Sequence, residues 1–151
     1  MRVGFVLVVV LVVGCYEKER AEYATYAEAE RQGAVRRGWI PAYVPRSATD
    51  IAEAHDLDAN TQRLRFRLPP SDLPALLAQL EPLPPGAPLP RALSAPALGG
   101  DWPLALTGHA RTRDAGISVY LARDASAAAR CVAVAHARAT VYAWSCAGRA
   151  G

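Results

Sequence analysis

The run Arg63-Leu64-Arg65-Phe66-Arg67-Leu68 alternates cation and hydrocarbon without a break. Successive side chains of a strand point to opposite faces. The pattern therefore predicts a half-buried strand over residues 62–68, with Leu64, Phe66 and Leu68 inward and Arg63, Arg65 and Arg67 on the other face. A helix would scatter both sets around its axis. Residues 49–56 are the expected antiparallel partner, with the turn at 57–61.

That turn falls in His55-Asp56-Leu57-Asp58-Ala59-Asn60, a segment dense enough in polar groups to suggest chemistry. Aspartate and asparagine favour turns because their short side chains bond the local backbone and tolerate left-handed angles. A calcium loop is the sharper alternative, since Asp56, Asp58 and Asn60 alternate as its oxygen ligands do. Such a loop needs glycine at its sixth position and a bidentate glutamate at its twelfth, where this chain has Thr61 and Arg67. A transition metal held by His55 with Asp56 or Asp58 is a further alternative. An acid–base pair of His55 and Asp56 is disfavoured because strand neighbours face opposite ways. The turn is the preferred reading. The arginine stripe is expected as a solvated face, paired with Glu53 or Asp56, with anion binding as its functional alternative.

The start of the chain carries a second strong signal. Arg2 is followed by twelve residues without charge, 3–14, and then Cys15. As a helix they would rise about 18 Å, against roughly 30 Å of hydrocarbon in a bilayer, so they fit an export signal better than a span. The stretch Leu11-Val12-Val13-Gly14-Cys15 resembles the lipobox of bacterial lipoproteins, in which the cysteine is acylated and becomes the mature N-terminus. The resemblance implies a signal peptide at 1–14, lipid attachment at Cys15 and a location in the cell envelope. Tyr16, where an aspartate would imply inner-membrane retention, implies the periplasmic face of the outer membrane if the organism has one. An ordinary cleaved signal with Cys15 merely nearby is the alternative.

Without residues 1–14 the chain has 137 residues, enough for one domain with a core of its own. The formal charge of +3 drops to +2 when Arg2 is removed, too weak a balance to demand nucleic acid. Cys131 and Cys146 remain for an oxidising compartment. Their flanks alternate and are rich in β-branched and aromatic residues, which predicts a hairpin with its loop at 137–140. Cys131 would then oppose Cys146, Ala133 would oppose Trp144, and Ala135 would oppose Tyr142. A bridge closing this loop stabilises by roughly 3 kcal/mol in the chain-entropy model.

Residues 16–23 read as a charged tether with frayed helical character, the tether as a whole covering 15–24. Thr25-Tyr26-Ala27-Glu28 matches a capping box for a helix over 26–32 that ends at Gly33. Pro41 and Pro45 make 38–45 an apolar loop, from which Trp39, Ile40 and Val44 press on the core; Trp39 as an exposed binding platform is the alternative. Ser71 can cap a helix with Leu73, Leu76, Leu77 and Leu80 on one face. Residues 81–103 hold seven of the twelve prolines and read as a long crossover. Residues 117–121 resume strand character. The expected architecture is α+β: one domain over 25–151, with an antiparallel sheet of about five strands, one or two helices on one face, and a C-terminal hairpin open to a disulfide.

Residues 38–66 resemble a segment of small exported bacterial proteins and lipoproteins of no assigned activity. The match rests on Gly38, Trp39, Pro41, Pro45, Ser47, Ala48, Ile51, His55, Asp56, Asp58, Asn60 and Phe66. It implies an envelope location and a shared fold, and it carries no catalytic residue. The chain also lacks G-x-S-x-G, S-x-x-K, H-E-x-x-H and a glycine-rich phosphate loop. Its histidines, His55, His109 and His136, are scattered. The function expected is a non-catalytic envelope module without cofactor, binding an envelope protein or polymer through Trp39, through Arg63, Arg65 and Arg67, or through the proline-rich crossover. A metal-dependent enzyme or metal-binding protein centred on His55, Asp56, Asp58 and Asn60 is the alternative.

Overall fold

The computed structural model describes residues 18–84, 98, 102–103, 106, 116–122 and 129–146. Cys15, the leader, His109 and most of the proline-rich crossover lie outside them. Among the described residues the chain forms β1 (Lys18–Thr25), α1 (Tyr26–Arg31), β2 (Thr49–Asp56), β3 (Thr61–Arg67), a 3-10 turn (Pro70–Asp72), α2 (Leu73–Leu77), β4 (Leu80–Pro82), β5 (Ile117–Ala122), β6 (Arg130–Ala135) and β7 (Thr140–Ser145). The seven strands make one sheet in the order β1-β2-β3-β7-β6-β5-β4, and every neighbouring pair is antiparallel. The β3–β7 pairing joins the two halves of the chain.

The alternation at 63–68 decides how this sheet is covered. Leu64 and Phe66 are buried with Ile51 of β2, Val141 and Ala143 of β7, and Val132 and Val134 of β6. Tyr26 and Ala29 of α1, Leu73 and Leu76 of α2, and Ile40 and Val44 of the apolar loop close over them. Both helices therefore lie on one face, as expected. Removing apolar surface of this kind from water contributes roughly 25 cal/mol per Å². The second face carries the arginines with Cys131, Ala133, Tyr142 and Trp144. Leu98, Trp102 and Leu106 pack on that side.

Local chemistry sets the elements that hold the loop. The Thr25 hydroxyl accepts from the Glu28 N–H at 3.2 Å, and the Glu28 carboxylate accepts from the Ala24 N–H at 2.8 Å. The capping box is thus reciprocal, with its second bond one residue earlier than the usual position. The helix ends at a left-handed Gly33, φ 81°, which glycine adopts without steric cost. The loop beyond returns to α1 where the Tyr26 N–H donates to the Ala48 carbonyl at 3.0 Å. The Ser47 hydroxyl donates to the Asp72 carboxylate, tying the loop to the turn before α2. That bond, followed by the one from Ser71, holds the Asp72 carboxyl below its ordinary value.

Three expectations are corrected. Residues 18–24, read as part of the tether, belong to strand β1, which pairs along β2 from Lys18↔Asp56 to Thr25↔Thr49. Tyr23 turns into the core while Arg20 and Glu22 stay exposed and pair at 2.5 Å. High charge density concealed this alternation. Second, α2 stops at Leu77, and Leu80 instead begins β4. Ser71 does not cap it, because its hydroxyl donates to Asp72 at 3.0 Å and Asp72 is the N-cap residue. Leu73, Leu76 and Leu80 are all buried nonetheless, so the leucines mark the core rather than one long helix. The sheet accordingly has seven strands rather than about five, and both unforeseen strands are its edges.

The third correction concerns the C-terminal hairpin. The turn is a 3-10 segment, His136–Arg138, followed by a left-handed Ala139, so Ala135 opposes Thr140, Ala133 opposes Tyr142 and Cys131 opposes Trp144. The register is displaced by two residues from that expected. A two-residue displacement preserves faces, whereas a slip of one reverses them. Cys146 consequently lies diagonal to Cys131, with Cα atoms 5.9 Å apart and the sulfurs at disulfide distance.

Candidate functional site

The predicted residues divide between two places. His55-Asp56-Leu57-Asp58-Ala59-Asn60 is the expected corner: the Asp56 carboxylate accepts from the Ala59 N–H at 3.0 Å, and Asn60 takes a left-handed φ of 48°. Asp58 is exposed in the turn while His55 is buried on the helix-bearing face. The structure thus does not bring His55, Asp56, Asp58 and Asn60 together. Among the described residues no three His, Cys, Asp or Glu side chains form a group that could hold a metal ion.

His55 has a different partner. Glu53 is fully buried, and its carboxylate stands 3.0 Å from His55 Nδ1. Residues two apart on a strand share a face, so this pair was written in the i, i+2 spacing. The imidazole stacks on Trp39 with ring centroids 4.1 Å apart. The Arg37 guanidinium lies 3.9 Å from the centroid of the same indole, and Trp39 itself is half-buried. The Gln62 side-chain amide donates to the Trp39 carbonyl and accepts from Arg130 at 2.6 Å. This assembly locks the apolar loop onto the sheet.

The arginine stripe meets a cavity on the second face. A cleft of about 810 Å³ is lined by Arg65 and Arg67 of β3, Thr140 and Tyr142 of β7, Arg138 from the hairpin turn, Asp50 of β2, and Trp102. Register explains the convergence. Arg67 lies opposite Thr140 and Arg65 opposite Tyr142, while Arg138 is two residues before Thr140, whose hydroxyl donates to the Arg138 carbonyl at 3.1 Å. Three arginines, whose guanidiniums are permanently charged and able to bind oxyanions with two parallel bonds, thus line one cleft. Arg63 stands apart, with its guanidinium 5.3 Å from the Trp102 ring, and Trp102 meets Tyr142 and Trp144 edge to face.

Of the two expected counter-charges, Glu53 projects from the opposite face and cannot reach the stripe. Asp50 pairs with Arg67 at 3.5 Å. Both side chains are about 60 % exposed, so the pair is worth at most about 1 kcal/mol. Sequence reasoning missed Asp50, Arg138 and Thr140. Their convergence depends on a bulge and a turn that no periodicity announces.

The fold and site together define a small antiparallel-sheet module with a cationic cleft. The family model of the YbbD head domain matches residues 17–67, a segment that covers β1, α1, the Trp39 loop, β2 and β3. It therefore includes Glu53, His55, Trp39 and the arginine stripe, but not Arg138 or Tyr142. No curated protein and no solved structure matches the chain. No helix among the described residues is long and apolar enough to cross a membrane.

Proposed function

We propose that this protein is a binding module of the cell envelope, lipid-anchored through Cys15, that holds an anionic partner in the cleft between β3 and β7. The observation that carries this reading is that Arg65, Arg67 and Arg138 line one cleft together with Thr140 and Asp50. Basic groups gathered in a cleft attract and retain anions more strongly than the same charges dispersed. The lipobox-like Leu11-Val12-Val13-Gly14-Cys15 supports the anchoring. Strand direction supports a partner other than the anchoring membrane. Lys18, three residues after Cys15, pairs with Asp56 at one end of the sheet. Thr25, Thr49, Arg67 and Thr140 align at the other, about 23 Å away at roughly 3.3 Å per residue. The cleft belongs to that distal end, suited to an anionic envelope polymer or protein.

Retention on phosphocellulose tests the cleft. A variant with Arg65, Arg67 and Arg138 replaced by alanine is expected to elute at markedly lower salt than one lacking the exposed Arg20, Arg31 and Arg36, although both lose the same charge. Equal elution of two folded variants would mean that net charge alone binds, and the cleft would lose its role.

A further inference from the structure

The end of the sheet opposite the cleft has a composition of its own. Lys18, the first residue of β1, pairs with Asp56, the last of β2, so the β2–β3 turn lies at that end. Leu57 opens the turn and is 51 % exposed, the one exposed large apolar side chain among the described residues. A single exposed leucine is ordinary on a protein surface; its neighbours give it meaning. The Trp39 loop reaches the same end, because the indole stacks on His55 and the Trp39 carbonyl accepts from Gln62, the residue opposite His55. Trp39 is half-buried, and Arg36 and Arg37 before it are exposed. Indole rings and long cationic side chains settle at the level of lipid headgroups, where an apolar body and a polar tip are both satisfied.

We infer that this end of the domain rests on the bilayer that holds its anchor, with Leu57 and Trp39 in the headgroup layer and the cleft end directed away from it. The inference rests on the reading of Cys15 as the lipid attachment site. From Cys15 to Lys18 is a step of three residues, at most about 11 Å of extended chain. The headgroup layer on each side of the hydrocarbon is roughly 5–8 Å thick, so the start of β1 and its partner Asp56 stand at or just above it. Thr25 lies about 23 Å further along the strand. Arg36 and Arg37 share the proximal end with Asp56 and Asp58, so net charge supplies little attraction to anionic lipid. Nearness to the anchor and the apolar groups carry the contact.

The test is amide NMR of the acylated full chain in phosphatidylcholine nanodiscs that contain a gadolinium-chelating lipid. Signals of residues 37–39 and 56–60 are expected to broaden almost to disappearance while those of Thr25, Thr49, Arg67 and Thr140 persist, since about 23 Å separates the two ends. Replacing part of the lipid by phosphatidylglycerol is expected to leave this pattern unchanged. Leu57→Asp, at an exposed site that the core does not use, is expected to weaken the contact by about tenfold through the lost burial of one leucine, read as signal recovered at residues 58–60. Broadening that is equal at both ends, or stronger at Thr25 and Thr49, would overturn the end-on contact. Broadening that requires phosphatidylglycerol, or that Leu57→Asp leaves untouched, would overturn its apolar basis. An acylated chain with no broadened signal would refute the contact while leaving the anchor in place, whereas an intact mass without acyl chains would refute the anchor and the contact together.

Discussion

Glu53→Ala is expected to destabilise the protein by about 1–3 kcal/mol, the cost of leaving a buried hydrogen-bonding group without its partner. Glu53 has no solvent exposure and His55 is buried beside it, so water cannot replace the lost carboxylate at His55 Nδ1. The damage would spread along a defined route. His55 stacks on Trp39, Trp39 is held through its carbonyl by Gln62, and the same loop delivers Ile40 and Val44 to the core. Glu53→Gln, which keeps volume and one hydrogen-bonding oxygen, should lose appreciably less. Urea unfolding measures both; a loss below about 1 kcal/mol for the alanine variant, the level of an exposed pair, would show that Glu53 and His55 do not fasten the loop.

Cys15→Ala is expected to abolish acylation completely. Each buried methylene contributes about 0.8 kcal/mol to membrane attachment, and two or more chains make it stable where one is marginal. Under the proposed anchoring, Cys15 is therefore an all-or-none determinant of membrane attachment. Metabolic labelling with an alkyne palmitate analogue should mark the wild type and leave the variant blank, with residues 1–14 retained. A wild type that takes up no label and partitions into the aqueous phase of a detergent separation would remove the anchor from the account.

Much of the fold is legible in local pattern. The unbroken alternation of Arg63 to Leu68 specified a strand, its buried face and its cationic face, because sheet geometry leaves no other arrangement. Thr25 and Glu28 marked a helix start through two hydrogen bonds that depend only on neighbours in sequence. Asp56 and Asn60 marked a corner through a side-chain bond to the local backbone and a left-handed angle. The edges were hidden for a physical reason. An edge strand is solvated along one side, and charges there discourage pairing with other chains, so β1 presents the composition of a tether. At β4 the strand is three residues long, too short for any period to register.

The sites were less legible. Glu53 and His55 could have been joined by their spacing, since attention to the neighbour Asp56 on the wrong face obscured the residue two positions back. The cleft could not. Arg138 reaches it through a 3-10 turn that also sets the hairpin register, and Asp50 reaches it through a bulge. Neither feature has a signature in hydrophobic pattern, because each depends on strands distant in sequence.

The role of Arg65, Arg67 and Arg138 in one binding cleft is tested most directly by arginine side-chain NMR. During titration with glycerol phosphate, the Nε–Hε signals of Arg65, Arg67 and Arg138 should move together along one saturating curve while those of Arg20, Arg31 and Arg36 stay in place. Shifts spread evenly over all six, without saturation, would show diffuse attraction by a basic protein and contradict the cleft as its site.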